Sequence, residues 1–227
     1  MGRLTFPKRS TNRRLDTALA IRSTALDLFS RQGYQFTTLR DIATRVGIQV
    51  GSLYNHIESK YELLCEIVHT VIRDLLSEQL QIASEPHAAT RLENLVSHLV
   101  RFEAHRHWEL NVAYCELRNL PARERSQICS MQREHDLLYL TALEDGVRQG
   151  SLRTLDAHLT TRAIFGLVAS LAPLATGERR WAVGVIEDAA VNLVMGGISN
   201  RGSLVGTRAK DPQSLSALVA APVDTSR

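Results

Sequence analysis

Apolar residues recur every three or four positions along most of the chain, and no alternating run of useful length appears. The pattern predicts an all-α protein of about nine helices. Ala18, Ile21, Ala25, Leu28 and Phe29 form one stripe, which predicts a first helix from Asp16 to Gln32, closed by Gly33. Leu39, Ile42, Ala43 and Val46 predict a short second helix, with Thr38 as its cap, Asp41 three positions on, and Gly47 as its C-terminal break. Ile48 is placed to plug the turn that follows. A third helix is expected from Gln49 to His56, with Leu53 as its inward anchor. Ser59 is placed to cap a fourth helix, Lys60 to Ala83, with Glu62 at its third position and a broad apolar face from Leu63 to Leu80. Further helices are expected from Ala88 to His105, Trp108 to Leu120, Pro121 to Gln149, Leu155 to Ala175 and Arg180 to Met195. Pro173 kinks or closes the eighth, and Gly196 and Gly197 stop the ninth.

The third helix has one large inward residue and is otherwise small or hydrogen-bonding. A helix this short is marginal alone, so one face must be held by packing while the other meets a partner. Two short helices joined by a tight turn, the second so composed, predict a helix-turn-helix whose second helix enters the DNA major groove. Arg40, Gln49 and Val50 are the candidates for base contacts. Thr38, Tyr54, Asn55, His56 and Lys60 are the candidates for phosphates, with Ser52 on the same face. Lys60 opens the fourth helix, where a cation is badly placed for the helix dipole. A phosphate contact explains that misfit; plain solvent exposure is the alternative.

The stretch resembles the family named after the tetracycline repressor. The matching residues are Ala25 to Phe29, Gly33 and Tyr34, Thr37 to Ala43, Gly47 and Ile48, Gly51 to His56, Ser59 and Lys60, and Leu63 and Leu64. Members commonly have Phe where this chain has Ile57, which keeps the position apolar. The resemblance covers residues 16 to 64 and implies a DNA-binding head, a phosphate contact for Lys60, and a homodimer.

The chain has 227 residues, 44% of them hydrophobic and 22% charged, with a net charge of +3. That is an ordinary soluble composition and no polycation. The distribution of charge changes the picture more: Arg3, Lys8, Arg9, Arg13 and Arg14 precede the first acid, Asp16. Residues 1 to 15 are therefore read as a basic disordered arm, either touching DNA or simply solvated. The division that follows is a helix-turn-helix domain over 16 to 65, a ligand-binding and dimerisation domain over 66 to 200, and a disordered tail rich in Ser, Ala, Gly and Pro over 201 to 227. Cys65, Cys115 and Cys129 lie far apart without metal spacing, which suits reduced thiols in a cytoplasmic setting. No secretory signal is evident. The longest apolar run, Ala163 to Ala175, is broken by Gly166, Ser170 and Pro173 and falls short of the ~20 residues that span a bilayer, so no membrane is expected.

The second domain is larger than support of a helix-turn-helix requires. Polar residues interrupt its apolar faces: Glu103, His105, Arg106, His107, Asn111, Glu116, Arg118, Asn119, Arg133 and His135. Most are expected in solvent, and a minority at a pocket between helices. On Arg91 and Leu92, Leu99 to Phe102, Tyr114 to Arg118, Arg133 to His135 and Asp145 to Leu152, the chain over residues 90 to 197 resembles a branch of the same family that regulates lipid and steroid breakdown and responds to acyl-CoA thioesters. The resemblance implies an acyl-CoA or other small apolar effector, and no other cofactor. Phe102, Tyr114 and Phe165 are the candidates for an apolar slot, with core packing as the alternative. Arg118 and Arg133 are the candidates for its phosphates, with structural ion pairs as the alternative. The eighth and ninth helices carry the small residues Ala163, Gly166, Ala169, Ala189 and Ala190, which permit close packing with a second copy. The resemblance implies a four-helix dimer interface there, presenting two recognition helices to a near-palindromic operator.

No catalytic motif stands out, and no enzyme activity is expected. Glu103 and His107 share a helix face but make a poor two-ligand metal site, and no metal is expected. The reading is a ligand-responsive repressor. The rival readings are a constitutive or architectural DNA-binding dimer and, behind it, a helical carrier or enzyme.

Overall fold

The computed structural model describes residues 9 to 176 and 180 to 200, with side chains from Arg14 onward. Nine α-helices and two 3₁₀ turns make up these residues: α1 (Arg9–Gln32), α2 (Leu39–Val46), α3 (Val50–Leu53), α4 (Lys60–Ile82), α5 (Ala88–His105), α6 (His107–Glu116), α7 (Ala122–Arg148), α8 (Ala157–Leu171) and α9 (Val183–Ile198). The 3₁₀ turns, Leu117–Asn119 and Ala172–Ala175, extend α6 and α8. The sole sheet-like pairing among the described residues is an isolated bridge between Leu152 and Ser199.

Local chemistry explains the head. Thr38 accepts from the Asp41 N–H at 3.1 Å, and the Asp41 carboxylate accepts from the Thr38 N–H at 2.8 Å, which closes a capping box on α2. The two hydrogen bonds from Thr38 and the nearby Arg40 charge hold the Asp41 carboxyl below the usual carboxylate range. Gly47 ends α2 in the left-handed region at φ +80°, and the Ile48 N–H returns to Ala43 O at 3.0 Å. Ser59 caps α4 by accepting from the Glu62 N–H, while the Glu62 side chain accepts from the Glu58 N–H. α4 is 23 residues long and buries Leu63, Leu64, Ile67, Val68, Val71, Ile72, Leu75 and Leu76, so its ~35 Å runs from the head into the second domain through one continuous core.

Several expected boundaries move. The helix expected from Asp16 begins at Arg9, so residues 9 to 15 of the expected disordered arm are helical; no Gly or Pro interrupts the chain from there to Gln32. Residues 1 to 8 and the tail, 201 to 227, lie outside the described residues. α3 ends at Leu53, not His56. The chain continues through Ile57 in tight turns, with Asn55 N–H to Ser52 O at 3.2 Å and His56 N–H to Leu53 O at 2.9 Å. α9 starts at Val183 and runs through Gly196 and Gly197 to buried Ile198, because the Arg153 N–H bonds Ile198 O at 3.0 Å and packing outweighs low glycine propensity. Gly146 is required by contact: a Cβ there would stand 2.4 Å from Leu152 Cδ1.

The second domain packs α5 against α7, α8 and α9, with α4 and α6 beneath. Buried Gln79 on α4 donates to the Tyr139 hydroxyl at 3.0 Å, which donates to Leu95 O at 2.9 Å, tying three helices in the core. Arg91 on α5 pairs with Asp145 on α7 and also donates to Glu85 O at 3.1 Å. The Arg91 guanidinium holds the Asp145 carboxyl below its ordinary value. A depressed carboxyl contributes stability above its unfolded pKa and loses it as pH falls through the folded one. Asp145→Asn is therefore expected to cost about 2 kcal/mol at pH 7, with the gap to the parent protein narrowing below about pH 4. Thermal melts of both proteins across that range check it.

Candidate DNA interface and effector cavity

Five arginines of the first two helices have described side chains, and three of these are in ion pairs. Arg31 and Arg45 pair with Asp27, at 2.6 and 2.8 Å, and Arg22 with Glu66 at 3.5 Å. Arg40 forms no ion pair among the described residues and is exposed. Arg14, from the first turns of α1, donates to Asn55 O at 3.2 Å and lines a crevice with Asn55 and His56 beside the recognition turn. Gln49, Ser52, Tyr54 and Asn55 are exposed, with Tyr54 at 56%, while Val50 and His56 are half-buried. Leu53 and Ile57 are the buried anchors beneath them. Gln49, Val50, Ser52, Tyr54, Asn55 and His56 thus lie on or beside α3, backed by α1 and α2, while Arg40 is exposed in the first turn of α2.

Two of the expected DNA contacts have other work. The Thr38 hydroxyl is occupied with Asp41, accepting from its N–H and donating to its carboxylate at 2.7 Å. Lys60 turns inward: its ammonium donates to Tyr34 O at 2.8 Å and Thr37 O at 2.7 Å, and it stands 4.2 Å from the centre of the Tyr34 ring. Desolvation lowers its pKa, opposed by the Glu116 charge. Both sequence readings of Lys60, phosphate contact and free exposure, are corrected. Its misfit at a helix start is relieved by two backbone carbonyls, a partner that helical periodicity does not reveal.

The same turn is gripped from the second domain. Glu116, at the end of α6 and nearly buried, accepts from the Tyr34 N–H at 3.1 Å and from the Asn119 amide, and Asn119 accepts from Gln35 at 2.9 Å. Residues 33 to 37 are therefore held by Lys60 through their carbonyls and by Glu116 through a peptide N–H.

Above this junction, α5, α6, α7 and α8 enclose a cavity of about 600 Å³. Tyr114, Arg133 and Phe165 line it, as the sequence suggested. Phe102 does not: it is 6% exposed, beside His98 and under the Arg106 guanidinium, and belongs to the core. Arg118 does not either, sitting exposed on the 3₁₀ turn after α6. Leu99, Glu103, Cys129, Gln132, His135, Asp136 and Arg162 complete the lining with Gly166 and Ala169. Glu103 and His135 stood out in sequence as polar breaks in apolar faces. The others gave no such signal, although Leu99 and Glu103 are spaced four apart, as are Arg162 and Gly166. Arg162 pairs with Asp136, whereas exposed Arg133 forms no ion pair among the described residues. His135 stacks on Phe165 with ring centres 5.0 Å apart, and Phe165 meets Tyr139 edge-on at 4.8 Å.

The outer faces of α8 and α9 are uncovered. Leu159, Ala163, Gly166, Ala169 and Ser170 on α8 and Ala189, Leu193, Gly196 and Gly197 on α9 are exposed, with Leu159 at 70% and Leu193 at 61%. Ala190, expected on this face, points into the core instead. The helical stretch Ala157–Ala175 is longer than the apolar run visible in sequence. By length and composition alone it is apolar enough to cross a bilayer, yet it packs on α5 and α7 with buried Thr161, Ile164 and Val168.

Residues 21 to 67 match the sequence model described as bacterial regulatory proteins, tetR family, and residues 85 to 173 match that of a tetracyclin repressor-like C-terminal domain. The HTH-type transcriptional repressor KstR2 of Rhodococcus jostii (strain RHA1) is 34% identical over 141 residues, covering 61% of this chain and 69% of that protein. The solved structure of the ketosteroid transcriptional regulator KstR2 of Mycobacterium tuberculosis superposes with a TM-score of 0.75 at 24% identity, over 87% of this chain and all of that one. AibR, solved in complex with isovaleryl coenzyme A and operator DNA, gives 0.64 at 23% identity, over 78% of this chain and 97% of that one. At those identities the two structures speak to the fold. With its capped two-helix head, its long α4 and its helical second domain, this chain belongs to the tetR family of DNA-binding transcriptional repressors.

Proposed function

We propose that the chain is a homodimeric repressor released from a near-palindromic operator when an acyl-CoA thioester enters the cavity between α5, α6, α7 and α8. The observation that carries this reading is the cavity itself: apolar surface from Leu99, Phe165 and Ala169 stands beside Arg133, an exposed arginine without an ion pair. An acyl chain suits the former and a CoA phosphate the latter. AibR, which shares the fold, was solved with isovaleryl coenzyme A, and that supports the choice of thioester. Dimerisation through the uncovered faces of α8 and α9 would set two α3 segments about 34 to 36 Å apart, one turn of duplex. This reading goes with a cytoplasmic protein that acts by binding operator DNA, as its repressor relatives do, and not by catalysis.

Release requires the ligand to favour one arrangement over another. Reversing occupancy from 1:99 to 99:1 takes about 5.5 kcal/mol of differential binding. The route is short: Tyr114 lines the cavity, and Glu116, two residues on, holds the Tyr34 N–H in the head. A shift of α6 on ligand binding pulls on the turn that also seats Lys60 and so reaches α2 and α3.

Operator fragments selected by the protein from a random DNA library serve as the test. Displacement from them by acyl-CoA esters, followed by fluorescence anisotropy, is the expected result; indifference to every thioester favours a constitutive DNA-binding dimer. Arg40→Ala and Tyr54→Ala are expected to weaken operator binding by roughly tenfold each, about 1.4 kcal/mol, with unchanged melting temperature. Lys60→Met, by contrast, is expected to lower the melting temperature, because Tyr34 O and Thr37 O lose their donor. Removal of a phosphate contact should reduce the salt slope of binding by about 0.9. Glu116→Ala is expected to bring the ratio of operator affinities with and without ligand toward one, a coupling loss read from the same titrations.

A further inference from the structure

Polar groups are unevenly placed within the cavity. Arg133 is exposed and marks its mouth, whereas Glu103 on α5 is largely covered, one helical turn after buried Leu99. The Glu103 carboxyl makes no hydrogen bond and no ion pair among the described residues. Burial pushes this carboxyl up to about 7, so near neutral pH much of it is the uncharged acid. The groups facing the same space do not neutralise it. Tyr114 from α6, 53% exposed as a residue, is held in its protonated form, pushed up to about 12 by desolvation in the cavity wall and by the charges of Glu103 and Asp136. His135 and Asp136 from α7 face the same cavity, and Arg162 from α8 is bound to Asp136. A covered carboxyl without a protein partner is costly unless something else satisfies it.

We propose that Glu103 determines specificity in this cavity by hydrogen-bonding an uncharged oxygen function, a hydroxyl or keto group, at the buried end of the ligand while the anionic end lies at Arg133. The assignment rests on the effector reading given above. A plain alkyl end leaves Glu103 unsatisfied. An ionised carboxylate end meets Glu103 and Asp136 in a poorly solvated space, and a cationic end meets Arg133 and Arg162 on its way in. A hydroxyl or keto group accepts from the protonated acid, and a hydroxyl also donates to the carboxylate, so a hydroxylated ligand suits Glu103 on either side of its titration and a keto ligand only while the acid is protonated.

The test uses the full chain, with octanoyl-CoA and 8-hydroxyoctanoyl-CoA as matched probes, titrated calorimetrically at pH 7. The hydroxylated ester is expected to bind about tenfold tighter. Glu103→Gln keeps a donor and an acceptor and is expected to retain the preference. Glu103→Leu removes both and is expected to bring the two affinities within about twofold, with far-UV circular dichroism melts showing that both variants fold. Equal affinities in the parent protein, or a preference that survives Glu103→Leu, overturn the assignment and leave the effector reading standing. If neither ester binds, the effector reading fails and the assignment falls with it.

Discussion

The Lys60 ammonium, set between the carbonyl oxygens of Tyr34 and Thr37, is the interaction on which the head depends. α3 has four residues and cannot persist alone. Its position comes from Leu53 and Ile57 below it and from α1 and α2 around it. The turn between α1 and α2 is fixed to α4 by Lys60 and to α6 by Glu116. A partly desolvated cation costs free energy unless its donors are used, so the turn and the start of α4 hold each other in one geometry. The recognition face inherits that geometry.

The junction also ties the two halves together. Glu116 and Tyr114 share α6, and one grips the head while the other lines the cavity. The core is continuous from Ile21 in α1 to Ile198 in α9. Motion at the cavity wall therefore meets no loose linker before the DNA-binding helices. Close packing transmits displacement, and the paired hydrogen bonds at residues 33 to 37 give it a defined point of arrival.

α8 serves three surfaces at once. Ile164 and Val168 enter the core, Arg162, Phe165 and Gly166 line the cavity, and Leu159, Ala163 and Ser170 face outward beside the exposed stripe of α9. This distribution accounts for its hydrophobicity on nearly every side, which makes the helical stretch Ala157–Ala175 as apolar as a membrane span. Only 22% of its apolar window is buried in the single chain. That leaves an apolar face for the second copy expected from the small residues.

Local sequence alone determined the helical class, the capping box at Thr38, the left-handed stop at Gly47, the cap at Ser59 and the outward set around α3. Each depends on residues within about four positions, where periodicity and side-chain chemistry act directly. Tertiary structure decided the rest. Lys60 finds its partners 23 and 26 residues away, Glu116 finds Tyr34 82 residues away, and the end of α9 follows packing over propensity. The cavity lining was half legible for the same reason. Tyr114, Arg133 and Phe165 could be picked by type, but which polar breaks face a shared void depends on how four helices cross. That crossing is set by long-range burial, and no local pattern encodes it.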